Sequence, residues 1–150
     1  MSLAFFGPRG SFEVRWIVYA LLRDNVQHHL EGGTSSEKFA DIHQIGEALL
    51  KDRVRVNAAR LRSQVEQARA VLLPLPASDI ALSGRTRAVL TAAWPPKSEA
   101  TSLIGKAVLT IPMLHDGIRT MADAFGTLVE NLLEITQGAG PDDAVEVVDQ

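Results

Sequence analysis

The chain of 150 residues contains no cysteine, which excludes a disulfide framework, a thiolate metal site and a cysteine nucleophile. Aromatic side chains are scarce at 5%, so the stacking platforms that hold single-stranded nucleic acid have little to draw on. Long apolar runs are missing as well. The longest, Trp16 to Leu22, falls far short of the ~20 residues that a membrane span needs. The start, M-S-L-A-F-F-G-P-R-G, lacks the basic end, long apolar middle and cleavage site of a secretory signal. These absences predict a cytoplasmic protein with no membrane contact.

What is present is ordinary for a globular chain. Hydrophobic residues make up 46% and charged residues 22%, enough for one domain with a single core and no metal or disulfide staple. The net charge of −3 is unevenly spread. Residues 51–87 carry Lys51, Arg53, Arg55, Arg60, Arg62, Arg69, Arg85 and Arg87 against Asp52, Glu66 and Asp79. Residues 120–150 carry acids and no base. Such polarity suits docking of two elements within the chain, self-association or a charged partner.

Helical periodicity dominates the pattern. Leu114, Ile118, Met121, Phe125, Leu128, Leu132 and Ile135 recur at spacings of four and three, predicting a long helix from near Pro112 to Gly138. A second stripe runs through Val54, Ala58, Leu61, Val65, Ala68 and Leu72 and stops at P-L-P, 74–76. A third, Phe39, Ile42, Ile45 and Leu49, follows a cap at Ser35 or Ser36. V-R-V at 54–56 is β-prone and Asn57 is a good helix cap, so a break is expected near 52–56.

The first helix is placed at about 11–30, capped by Ser11, although F-E-V-R-W alternates as a strand would. Shorter helices are expected from Ser83 or Gly84 to Trp94 and from Ser98 to Leu109. The predicted fold is therefore all-α, a compact bundle or orthogonal array of five to six helices. It covers residues 1–137 as a single helical domain, followed by a flexible acidic tail, 138–150.

Sites with chemistry are few. His43, Glu47 and Asp41 fall near one face of a helix, and His115 precedes Asp116, but no H-x-x-x-H or E-x-x-H spacing joins them. Solvated positions on helix surfaces account for His43 and His115, and no metal or other cofactor is implied. F-G-P-R-G-S and S-G-R-T-R place glycine near a helix start without matching a phosphate-binding loop. Arg55, Arg62 and Arg69 stand seven apart and offer a row for a polyanion. Against it stand the acidic total and the lack of a recognised nucleic-acid motif.

The densest polar stretch is R-D-N-V-Q-H-H, residues 23–29. Its spacing is similar to the R-x4–6-H motif of HEPN domains. That resemblance implies an all-helical dimer and metal-independent ribonuclease activity. His28 or His29 would act as general base toward an RNA 2′-hydroxyl, and Arg23 would stabilise the phosphorane charge. On one regular helix His28 lies about 140° from Arg23, so such a site needs a second helix or chain to complete it. The bland account is a half-buried histidine at a helix C-terminus, where a cation meets the helix dipole favourably.

The leading expectation is a non-catalytic protein–protein interaction domain of the inhibitor, immunity or adaptor type, acting as a homodimer. The HEPN-like ribonuclease is the alternative. An arginine-mediated nucleic-acid binder is the third reading.

Overall fold

Strands, not helices, build the centre of the molecule. The computed structural model describes residues 2–93 and 118–150. The described chain runs β1 (Ser2–Gly7), β2 (Gly10–Arg15), α1 (Trp16–Asn25), α2 (Ala40–Gly46), α3 (Ala48–Lys51) and β3 (Arg53–Asn57). Then come α4 (Ala58–Leu72), α5 (Gly84–Ala93), α6 (Met121–Ile135) and β4 (Ala144–Asp149). A π turn, Val26–Leu30, continues α1. The four strands form one antiparallel sheet in the order β2-β1-β4-β3.

This overturns the all-α bundle. Two of the missed strands, β2 and β4, alternate in their side chains, which is the strand signal, whereas β1 (S-L-A-F-F-G) does not. In F-E-V-R the half-buried Phe12 and Val14 face the core while Glu13 and Arg15 face water, so Ser11 lies within a strand and caps no helix. The helix begins instead at Trp16.

The expected mobile tail is corrected for the same reason. Val145 and Val147 are fully buried and turn inward, while Ala144, Glu146 and Val148 alternate with them. Residues 144–149 thus form an inner strand, hydrogen-bonded to β1 on one side and β3 on the other. The acids of this segment lie outside the core and do not prevent its burial.

The helices follow the expected stripes more closely. The break near 52–56 is β3, and Asn57 caps α4 by accepting the Arg60 amide at 2.9 Å. Ala58, Leu61, Val65, Ala68 and Leu72 are buried along α4. The last helix is shorter than its stripe suggested. Residues 118–120 are not helical, and Thr120 with Asp123 forms a capping box at the start of α6. The α5 start at Gly84 agrees with the sequence, with Ser83 Oγ accepting the Thr86 amide at 3.1 Å. The expected helix at 98–109, the Pro112 start and His115 lie outside the described residues.

One sheet face carries Leu3, Phe5, Val54, Val56, Val145 and Val147 into the core, where α1, α4 and α6 pack over them. Phe5 stacks on Phe12 at 4.7 Å between ring centres. The opposite face carries no described helix. At one end the β1–β2 hairpin docks on the end of α6, where the Arg9 amide donates to the Ile135 carbonyl at 3.0 Å.

Gly7 makes that approach possible, since a Cβ there would stand 2.8 Å from the Ile135 carbonyl oxygen. Gly7→Ala must push backbone from backbone. It is expected to lower the unfolding free energy by about 1–3 kcal/mol, read by urea denaturation followed by circular dichroism.

Candidate functional site

The segment 23–29 spans the end of α1 and the following π turn, and three of its polar side chains, Asp24, Asn25 and His29, bond to one neighbour, residues 79–83. Asp24 Oδ2 accepts the Ser83 amide at 3.0 Å. Asn25 is fully buried; its Nδ2 donates to the Ala81 carbonyl at 3.2 Å, and its Oδ1 accepts the Ala81 amide at 2.8 Å. His29 Nε2 sits 2.9 Å from the Asp79 carbonyl. Asp79, at the end of a short 3-10 turn, and Ala81 and Ser83 beyond it are thus held through their backbone, much as a neighbouring strand would hold them.

Arg23 and His28 do not converge. The Arg23 side chain is largely buried against Gly46, where an added Cβ would meet its Cδ and Nη1 at 2.7 Å. Its Nη2 lies 3.5 Å from Asp24 Oδ1, an ion pair too long for a hydrogen bond, and that buried oxygen has no hydrogen-bond partner. His28 is exposed and lines a shallow cavity of about 190 Å3 with Asp24, Gln27, Gly33 and Ser83. Arg23 is not part of its wall. An acid therefore shares this cavity with His28, whereas the arginine that the HEPN motif requires is turned away. The all-helical fold implied by that resemblance is likewise not the fold found.

The trio of Asp41, His43 and Glu47 is also dispersed. Asp41 is buried and receives Arg60 through two bonds, Nε to Oδ2 at 2.6 Å and Nη2 to Oδ1 at 3.0 Å. Gln64 completes this knot by donating to Asp41 and accepting the Asp41 and Ile42 amides. Tyr19 donates to the Ile42 carbonyl at 2.6 Å, and burial pushes its phenol well above the ordinary range.

Glu47 pairs with Lys51, while His43 Nε2 lies 2.5 Å from Glu31 Oε1. Ser36 donates to Glu31 through both its amide and its hydroxyl. Burial alone would raise the Glu31 pKa, but the bonds from Ser36 and His43 outweigh it and hold the carboxyl below its usual range. Among the described residues no three His, Asp or Glu side chains are grouped as a metal site.

The arginine row is divided among different surfaces. Arg62 and Arg69 lie over the groove between α4 and α6, whereas Arg55 belongs to the open sheet face. Arg62 Nη1 donates to the Leu133 carbonyl near the end of α6, and Arg62 Nε meets Glu66 at 3.0 Å. Arg69 pairs with Glu130 at 3.0 Å, and Arg53 with Glu146 at 2.9 Å. The basic middle and acidic end of the sequence thus meet within the chain. These pairs add little stability, but they neutralise Arg62 and Arg69, two of the three arginines of the row.

The open sheet face was not singled out by the sequence. Registers across the strands align Ser11, Phe6, Glu146 and Arg55 in one row, and Glu13, Ala4, Val148 and Arg53 in the next. Phe6 is 47% exposed, on an inner strand. A hollow of about 350 Å3 beside it is walled by Phe6, Pro8, Arg55, Asp142, Asp143 and Glu146, among others. Asp143 is tied to the Gly140 amide and Glu146 to Arg53. The side chains of Arg55 and Asp142 have no partner among the described residues. The signal was the doublet Phe5-Phe6, since neighbouring residues of a strand must face opposite ways.

The two halves of the 23–29 segment respond differently to substitution. Asn25→Ala strands buried backbone groups and is expected to cost about 1–3 kcal/mol. His28→Ala, at an exposed position, is expected to stay within about 0.5 kcal/mol of the parent. Chemical denaturation of both variants measures the contrast. No protein-family model, no curated protein and no solved structure matches the chain.

Proposed function

We propose that the protein is a non-catalytic protein-interaction domain of the inhibitor, immunity or adaptor type, whose contact surface is the open sheet face. The observation that carries this reading is Phe6, exposed on that face near the hairpin turn, beside Arg55 and Asp142, whose side chains have no partner among the described residues. Buried apolar anchors ringed by polar groups are the usual energetic centre of protein contacts. The fitting partner is a protein segment that lays an apolar side chain on Phe6 and offers one charge of each sign to Arg55 and Asp142.

The rival readings have less support. A polyanion would have to compete with acids already paired to Arg53, Arg62 and Arg69. A ribonuclease built on Arg23 and His28 would need two side chains that lie on different walls. No described helix is long and apolar enough to cross a membrane. We place the domain in the cytoplasm on its lack of cysteine.

A photo-crosslinking residue installed at Phe6 tests the reading in living cells, with the same residue at the exposed Gln67 of α4 as control. A discrete protein adduct from position 6 and none from position 67 is expected. No adduct from position 6, or adducts only to nucleic acid, contradicts it.

A further inference from the structure

Both edge strands of the sheet present backbone groups that no described strand pairs. In β2 these belong to Ser11, Glu13 and Arg15. The hairpin closes on Gly7 opposite Gly10, so alternate pairs bond inward and the residues between them point outward. The strand lacks several of the common defences of a free edge. It carries no proline or lysine, and its register with β1 runs from Arg15 to Gly10 without a bulge.

Side chains distinguish the two edges. On β3 the outward-facing residues are Arg53, Arg55 and Asn57, so self-pairing about Val54 or about Arg55 sets arginine against arginine. Those registers repel a second copy, and no register of β3 pairs opposite charges. On β2 the corresponding side chains are Glu13 and Arg15, of opposite sign. Antiparallel self-pairing about Val14 places Glu13 opposite the partner's Arg15, and Arg15 opposite the partner's Glu13. The neighbouring register, centred on Glu13, would bring two carboxylates together and is disfavoured. The carboxylate is already held over the open face, where Glu13 Oε1 accepts the Ser2 hydroxyl at 2.6 Å. Phe12 and Val14, half-buried at this edge, gain cover from the added strand.

We propose that the chain forms a twofold dimer in which β2 pairs antiparallel with β2 of a second copy. The two sheets then continue into one, and the single interface is self-complementary, as twofold symmetry requires. This contact uses the sheet's edge and leaves the face around Phe6 free. It stands or falls independently of the interaction reading above.

Charge reversal tests both the contact and its register, using sedimentation velocity over a concentration series. Glu13→Arg and Arg15→Glu are each expected to weaken self-association about tenfold, because both cross-strand pairs turn from attractive to repulsive. The double variant E13R/R15E restores the parent affinity. An equimolar mixture of the two single variants forms a heterodimer of similar affinity, since each supplies what the other lacks. Circular dichroism of the single variants checks that these exposed substitutions leave the fold intact. A parent protein that stays monomeric throughout overturns the proposal. So does a dimer indifferent to the single reversals, or one not recovered by the double variant and the mixture.

Discussion

The ladder that β4 forms with β1 on one side and β3 on the other is the constraint around which the other elements are arranged. Without it, β1 and β2 would be an isolated hairpin, and β3 a lone strand ahead of α4. Neither arrangement is stable alone in water. With it, Val145 and Val147 complete an apolar face wide enough for α1, α4 and α6 to cover. These pairings join residues 2–7 to residues 144–149. Their stabilisation must therefore offset a large loop-closure entropy before it is gained.

Charge and polarity are used locally in the same spirit. The polar residues of 23–29 fasten an extended stretch that has no strand of its own to pair with, supplying by side chain what a ladder supplies by backbone. The knot of Asp41, Arg60 and Gln64 fastens α2 to α4. The arginines of β3 and α4 meet the acids of β4 and α6. On the helical side, polar groups are thus largely committed to holding the fold. The sheet's outer face and its β2 edge are different: there, Phe6, Arg55, Asp142, Glu13 and Arg15 offer groups beyond what the fold requires.

The helices were legible in the sequence because their information is local. Asn57 can be read as a cap from its own neighbourhood, and the stripe from Ala58 to Leu72 is a property of fifteen consecutive residues. Strands gain their meaning from partners far along the chain. F-E-V-R-W alternates, but a helix reading from Ser11 to Leu30 absorbed it. A-V-E-V-V alternates as well, but the surrounding acids made it look like a solvated tail. The 23–29 segment drew attention for its residue types, yet its role depends on residues 79–83, which no spacing rule could bring beside it. The open face was hidden for the same reason: Phe6 is conspicuous only once Phe5 is known to point inward.

Backbone amide hydrogen exchange of the native protein tests the place of β4 most directly. The amides of Val145 and Val147 are expected to exchange as slowly as those of Leu3 and Phe5, opening only when the whole sheet opens. If residues 144–149 exchange at the rate of an unstructured chain while β1 stays protected, the ladder is not what holds this fold together.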